Sequence, residues 1–538
     1  MEEHLWPIFP PLLLVLSLWL VWRISKQTVQ QPSLRSVAIV VLGDIGRSPR
    51  MMYHAESFAT MGFETFLVGY SGSKPIPSLL SIPHVNFLYL SAPPAYLALL
   101  PFVLSAPRKI IHQVVSILHA LLVSIPNPPE FIVVQNPPSI PTLALVWFVA
   151  KIRGSKVIID WHNLGYSILA LKLGERHVFV KIAKWFERYF GRSAYAHLFV
   201  THAMREFLVK EWDLKGHKAV LHDRPPAHFH RASPAEIHEL FLRLAPALST
   251  PSLTSFLPPF SPPYSTPFTA TPTSSTLTSI PQSPTPDLSE LSDTDFALGG
   301  AAAPTLRADR PALLVSSTSW TPDEDFGMLL AALEMYERRA RAHSHEQAGE
   351  RRLPKVLMVV TGKGPLRAKY MRQIEKMQRG DAAQEPWRFV RCISMWLEAE
   401  DYPRLLGSAD LGISLHSSSS ALDLPMKIVD MFGCELPVCA LGFACLDELV
   451  KDGVNGLIFN DAAQLADQLE TLLTSYPSSH ALATLRASLE QTPAAGTPSD
   501  GQRRASGAEH WEWGTWSQNW NSVVRPLVLS DVGGGDEI

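Results

Sequence analysis

Eleven short apolar runs, rich in Val, Ile and Leu, recur along this 538-residue chain, and each is followed by a helical pattern. Six come first: "VAIVVL" from Val37, "TFLVG", "NFLYL", "FIVVQ", "KVIID" ending at Asp160, and "HLFVT". Five follow after a gap: "ALLVSS", "VLMVVTG", "RFVRC", "DLGISL" and "LPVCAL". Buried strands that alternate with helices give parallel sheets covered on both faces. The pattern therefore predicts an α/β chain with two doubly wound, Rossmann-like domains of similar build. Ligands of such sheets bind beyond the carboxyl ends of the strands, so the loops after each run are where chemistry is expected.

The gap divides the chain. Residues 244–306 contain no Lys, Arg or His and are dominated by Ser, Thr, Pro and Ala. A segment of this kind buries too little apolar area to offset its ordering entropy, which predicts a disordered insert. Asp293-Thr294-Asp295 inside it matches an Asp-x-Asp metal pattern but lies in low-complexity sequence and is discounted. The expected boundaries are residues 36–243 for the first domain, 307–475 for the second and 507–530 for a C-terminal helix.

At the N-terminus, residues 5–22 carry no charge and are followed by Arg23, Lys26 and Arg35. Eighteen helical residues span about 27 Å, close to a bilayer's hydrocarbon thickness, and the basic flank favours a cytosolic body. Residues 5–24 are thus expected to form a transmembrane anchor; Trp19 and Trp22 stand where a cleaved signal would need small residues. The stretches 87–107 and 110–125 are also apolar but broken by prolines and by Arg108, Lys109 and His112, which predicts helices lying on a bilayer or ordinary core helices. Net charge is −3, which gives no footprint for nucleic acid. Cys392, Cys434, Cys439 and Cys445 lack metal-ligand spacing and read as reduced thiols. The absence of any Asn-x-Ser/Thr acceptor agrees with a cytosolic body.

Five loops are candidates for the expected chemistry. The first strand runs into "GDIGRSPRMMYHA", where Gly43 and Gly46 permit a tight turn, Ser48 suits an N-cap and Pro49 the first helical position. Arg47 and Arg50 stand near that helix start, and Asp44 is a carboxylate that no turn requires. The spacing differs from the dinucleotide fingerprint, which argues against a nicotinamide or flavin enzyme. In "IIDWHNLGYS" a strand ends at Asp160 and polar and aromatic residues follow: Trp161, His162 and Asn163. Farther on, "SSTSWTPDEDF" has the form of a capping box at Thr321 and Glu324. "TGKGPLR" offers backbone amides of Gly362, Lys363 and Gly364, with Arg367, to a diphosphate. It lacks the second half of a P-loop. "LHSSSSALDLPMKIVDMFG" adds Asp423, Lys427 and Asp430.

The succession "GDIGRSPRM", "QNPPSIP", "IDWHNLGYS", "AKWFERYFGR", "SSTSWTPDEDF", "TGKGPLR", "WLEAEDYPRLLGSADLGISLHSSSSALDLPMKIVDMFGCELPV" and "NGLIF" closely resembles the chitobiosyldiphosphodolichol β-mannosyltransferases of the endoplasmic reticulum. The resemblance covers the anchor and both domains. It implies a GT-B glycosyltransferase whose two domains face a cleft, the first holding the acceptor and the second the nucleotide. The implied reaction moves mannose from GDP-mannose to dolichyl-diphosphate chitobiose at the cytosolic side of the membrane, with the C-terminal helix crossing back onto the first domain. Other early dolichol-pathway transferases are implied partners, and nucleic acid is not.

Inversion from an α-linked donor to a β-linked product needs one base. Asp44 is the first choice and His162 the second. Gly43, Gly46, Arg47, Arg50, Trp161 and Asn163 are expected at the acceptor. Gly362, Lys363, Gly364, Arg367, Asp423, Lys427 and Asp430 are expected at the donor. Related retaining enzymes use a Glu-x(7)-Glu pair, for which Asp423 and Asp430 stand one residue closer. No metal cluster is apparent and the fold requires no cofactor, although a divalent ion such as Mg can arrive with the diphosphate. The rival expectations are the same fold with another nucleotide sugar or lipid acceptor, and a non-catalytic scaffold.

Overall fold

The computed structural model describes residues 35–94, 102–271, 303–321, 324–345, 352–380, 385–416, 422–490 and 514–530. The expected anchor and Asp293-Thr294-Asp295 lie outside these residues. Among the described residues no helix is long and apolar enough to cross a membrane.

The chain forms two compact units, Met1–Asp223 together with Trp516–Ile538, and Arg224–Thr515. The first unit holds a seven-stranded parallel sheet of β1 (Ser36–Asp44), β2 (Glu64–Tyr70), β3 (Val85–Tyr89), β4 (Phe131–Asn136), β5 (Lys156–Trp161), β6 (Ser193–Phe199) and β7 (Lys215–Val220). Their spatial order is β3-β2-β1-β4-β5-β6-β7, so the winding reverses between β1 and β4. The fully buried runs Val37–Val40 and Phe131–Val134 form the middle of that sheet. β7 is polar and exposed over Lys215, Gly216 and His217 and escaped the sequence reading.

The second unit repeats the architecture. A small antiparallel pair, β8 (Thr269–Ala270) and β9 (Thr305–Leu306), precedes six parallel strands. These are β10 (Ala312–Ser317), β11 (Val356–Thr361), β12 (Val390–Met395), β13 (Leu411–Ser414), β14 (Val438–Leu441) and β15 (Gly456–Phe459), in the order β12-β11-β10-β13-β14-β15. Both sheets are doubly wound, as expected from the alternating pattern.

Two expected boundaries move. Residues 224–243, assigned above to the first domain, belong to the second unit, where Ile237, Leu240 and Phe241 join its core. The expected insert is also not disordered throughout. Its first part continues helix Pro234–Leu248, adds a turn at Pro251–Thr254, and buries Leu253, Phe256, Leu257 and Phe268 in the same core. Phe256 additionally lies under the Lys355 ammonium and the Arg391 guanidinium. Polar composition concealed four large apolar side chains, enough to order their own segment.

The C-terminal helix Trp516–Leu529 packs on the first unit, as the sequence implied. Trp516, Trp520, Val524 and Val528 form its buried stripe against Phe58 and neighbouring residues. All four cysteines are free and buried.

Candidate active site

In the first unit the carboxyl end of β5 carries a fully buried carboxylate, Asp160. Arg50, from helix Pro49–Thr60, donates to both of its oxygens, Nε and Nη2 each at 2.8 Å. Arg50 Nη1 reaches Asp223 at 2.8 Å and the carbonyl of Leu221 at 2.9 Å. Burial opposes ionisation of Asp160, but Arg50 above all, and then His162, hold its carboxyl well below the ordinary value. It is therefore a permanent anion at neutral pH.

Two histidines share that anion. His54 Nε2 is 3.2 Å from Asp160 Oδ2, and Trp520 Nε1 donates to His54 Nδ1 at 3.0 Å. An indole N–H only donates, so Nδ1 of His54 bears the lone pair and Nε2 the proton. Burial depresses the His54 pKa and keeps the ring neutral. His162 Nε2 lies 2.8 Å from the same Oδ2. An ionised carboxylate only accepts, so His162 also carries its proton on Nε2, which leaves Nδ1 as its basic atom. The His162 side chain is 22% exposed whereas Asp160 has no exposure, so this histidine is the most exposed member of the network.

The loop around it is rigid. The His162 amide donates to Asn136 O at 2.9 Å. Buried Glu187 receives Asn136 Nδ2 at 2.6 Å and the amides of Gly165 and Tyr166 at 2.9 and 3.2 Å. Asn163 Oδ1 accepts the Leu164 amide at 2.7 Å, so this side chain organises the start of helix Gly165–Leu173.

Several expected acceptor residues turn inward instead. Trp161 is fully buried, donates to His197 Nδ1 at 3.2 Å and packs edge-on against Trp212, so it is core and has no surface to offer a sugar. Arg50 is 4% exposed and occupied by its carboxylates. Arg47 remains on the surface.

Asp44 holds the turn after β1. Its Oδ1 accepts the Gly46 amide at 3.1 Å, and its Oδ2 accepts the Ser73 amide at 2.8 Å. Partial burial opposes ionisation, but the Ser73 and Gly46 hydrogen bonds and the Arg47 charge outweigh it and hold the carboxyl below its ordinary value. Gly46 is required there, since a Cβ would sit 2.5 Å from Ser73 O. Gly43 has no such constraint; the nearest atom to a Cβ would be 4.0 Å away. Ser48 precedes the helix and Pro49 opens it, but the Ser48 hydroxyl donates to Asp44 O and makes no cap bond.

In the second unit, β11 leads into the loop Gly362-Lys363-Gly364 and then helix Arg367–Arg379. A Cβ on Gly362 or Gly364 would stand 1.8 Å from the carbonyl oxygen of Thr318 or Ser319, so only glycine admits this approach of two strand-end loops. Trp320 locks the pair, donating from Nε1 to Gly362 O at 3.2 Å and accepting the Leu366 amide at 3.1 Å. Lys363 lies over the Trp396 ring at 3.7 Å, and Arg367 Nε donates to Ser394 Oγ at 2.8 Å.

Glu324 is the residue that sequence reading misassigned. The helix begins only at Phe326, and Glu324 turns into the unit, where it is 3% exposed. It accepts the Ser319 amide at 2.7 Å, the Thr318 hydroxyl, and the Lys427 ammonium. Lys427, from helix Met426–Gly433, is thus a paired cation 28% exposed and not an isolated one. Asp430 on the same helix lies near Tyr402, whose phenol is pushed up by burial and then by the Asp430 charge. Tyr402 reaches Ser317 Oγ, at the end of β10, at 3.0 Å. Asp423 stands before that helix, its carbonyl 3.6 Å from Cys445 Sγ. The second-unit residues Gly362, Lys363, Arg367, Lys427 and Asp430 therefore gather around the carboxyl ends of β10 and β11.

Two doubly wound units, the second with a glycine loop and cationic side chains at its strand ends, fit a GT-B glycosyltransferase. A family model for glycosyl transferases group 1 matches residues 332–475. The crystal structure of HepE from Anabaena, solved with UDP and glucose, matches at 13% identity with a TM-score of 0.50, over 85% of this chain and 94% of that one. Among curated proteins, the chitobiosyldiphosphodolichol beta-mannosyltransferase of Mus musculus is 42% identical over 96% of this chain and 93% of its own length. The Homo sapiens protein of that name is 40% identical over 96% of each chain. The protein called UDP-glycosyltransferase TURAN in Arabidopsis thaliana is 39% identical over 92% of this chain and 97% of its own. The chain belongs to the chitobiosyldiphosphodolichol beta-mannosyltransferase family.

Proposed function

We propose that this enzyme transfers mannose from GDP-mannose to the 4-hydroxyl of the outer N-acetylglucosamine of dolichyl-diphosphate chitobiose, with inversion at the anomeric carbon. The observation that carries the chemistry is the 2.8 Å contact between buried Asp160 and His162. Asp160 fixes the ring so that His162 Nδ1 takes the acceptor proton as the new O4–C1 bond forms. The C1–O bond to GDP breaks in the same displacement, and GDP leaves with the bonding pair. His162 is preferred to Asp44, because a carboxylate already held by two amides and kept below its ordinary pKa is a weak base at neutral pH.

The amides of Gly362, Lys363 and Gly364, the N-terminus of helix Arg367–Arg379, and Lys363, Arg367 and Lys427 fit a departing diphosphate. Asp430 suits the ribose hydroxyls and Asp423 the sugar. This set needs no protein-held metal, so transfer is expected to persist in excess chelator. Work on a dolichol-linked acceptor fits an enzyme of the endoplasmic reticulum membrane with both units in the cytosol and residues 5–24 as its anchor.

The name of the Arabidopsis relative supports one rival, a UDP-sugar donor. The purified full chain, dolichyl-diphosphate chitobiose and either labelled GDP-mannose or labelled UDP-N-acetylglucosamine separate the two. Label from GDP-mannose alone in a trisaccharide cleaved by β-mannosidase is the expected result. Transfer only from the UDP-sugar, or an α-linked product, would contradict the reading.

A further inference from the structure

The second unit exposes an aromatic ring that the reaction as derived leaves idle. Among its described residues the exposed large apolar side chains are Tyr264, Leu306, Trp396 and Val454. Of these only Trp396 follows the carboxyl end of a strand of the six-stranded sheet, directly after β12. It is 60% exposed, whereas Trp320 and Trp387 of the same unit are buried. That end of a doubly wound sheet is where ligands bind, so core packing does not account for the ring.

Its neighbour is the glycine loop. The ladder pairs Thr361 with Met395, so Trp396 stands beside Gly362, the first residue of the loop assigned the diphosphate. Adjacent strands are about 4.8 Å apart, roughly the length that a ribose adds between phosphate and base. Arg367 Nε, on the helix that follows the loop, donates to Ser394 Oγ of β12 at 2.8 Å and so ties the two strand ends together. The Lys363 ammonium lies 3.7 Å from the centroid of the indole, so a flexible side chain, and no packed wall, covers that face of the ring. A cation–π pair at an exposed site is weak, and Lys363 is already assigned to the departing diphosphate. Its move to the phosphates bares the ring.

We infer that Trp396 is the platform on which the guanine base of the donor stacks, the base replacing the Lys363 ammonium on the indole as that ammonium turns to the diphosphate. The inference rests on the reading that Gly362, Lys363 and Gly364 hold the donor diphosphate. Guanine's two fused rings cover more of an indole than uracil's single ring, so the platform also favours GDP-mannose over a UDP-sugar.

Titration calorimetry of the purified full chain with GDP, UDP and inorganic pyrophosphate tests this, on the parent and on Trp396→Ala, Trp396→Phe and Gly364→Ala. Trp396→Ala is expected to weaken GDP binding about tenfold or more and UDP binding by less, with pyrophosphate within about twofold of the parent. Trp396→Phe is expected to keep most of the GDP affinity, because a phenyl ring still stacks. Unchanged GDP affinity in Trp396→Ala would overturn the inference. So would equal losses of GDP and pyrophosphate, which would make the ring a prop for the loop, or a Phe variant as weak as the Ala variant. Equal losses of GDP and UDP would overturn the guanine preference. Gly364→Ala is expected to weaken all three ligands alike. If it leaves them unchanged while the tryptophan variants behave as expected, the placement of the diphosphate fails and the base platform stands.

Discussion

The two units share one topology yet place different chemistry at their strand ends. The first buries an ionised carboxylate and sets an arginine and two histidines around it. The second brings two loops so close that only glycine fits, and supplements their amides with lysine and arginine. One arrangement suits holding and moving a proton; the other suits receiving negative charge. Fold alone would predict neither, because chemistry in doubly wound sheets belongs to the loops.

If that contrast is right, the largest effect follows Asp160→Asn, which strips Arg50 of its bidentate partner in a buried site. A cost of about 3–5 kcal/mol to the first unit is expected in denaturant unfolding, with peptides of the second unit unchanged in hydrogen exchange. An equal loss in both units would break the comparison. Next comes Phe256→Ala, at about 3 kcal/mol and confined to the second unit, because the chain just after residue 244 is core. A neutral result would restore the view of that stretch as disordered.

Gly364→Ala drives a Cβ into the Ser319 carbonyl and is expected to raise the donor KM about tenfold or more, the equivalent of about 1.4 kcal/mol, with proton transfer intact. A pure kcat defect would mean that the glycine loop does not hold the donor.

Acidity supplies a smaller test. In the first unit burial depresses His54 and lowers His197 to about 4, so both stay neutral in the folded state. Below the unfolded value of about 6.5 the unfolded chain binds more protons, and stability present above that pH is lost on descent toward about pH 4. Asp160, also depressed, acts in the same direction lower still. In the second unit burial raises Cys392 and Cys445 to about 12. Their stability contribution is present below the unfolded thiol value of about 8.5 and is lost as pH rises past it. Limited proteolysis across pH should therefore cut the first unit earlier in acid and the second earlier in alkali.

Most of the fold was legible in the sequence because buried parallel strands are near-continuous apolar runs. β1 to β6 and β10 to β14 each overlap a run named beforehand, β6 and β12 only over three residues. β7 was missed because "KGHKAV" is a polar edge exposed over its first half, and β15 because "GLIF" opens on glycine and is only half-buried at Leu457 and Ile458. The site was less legible. Arg50 and Asp160 are 110 residues apart, and Glu324 and Lys427 are 103 apart, so nothing local announces either pair. Thr321 and Glu324 satisfy a capping pattern, and the local reading concealed the distant partner. Trp161 shows the converse: an aromatic at a strand's carboxyl end can be core as readily as a sugar platform.

The central claim is that the proton leaves through His162 under the control of Asp160, and single-turnover transfer by His162→Ala measured beside Asp44→Asn tests it most directly. With GDP binding and melting temperature near those of the parent, His162→Ala is expected to lose about 10² to 10⁴ in rate while Asp44→Asn loses far less. The opposite ranking, with both variants folded, would contradict the account and return the base to the turn after β1.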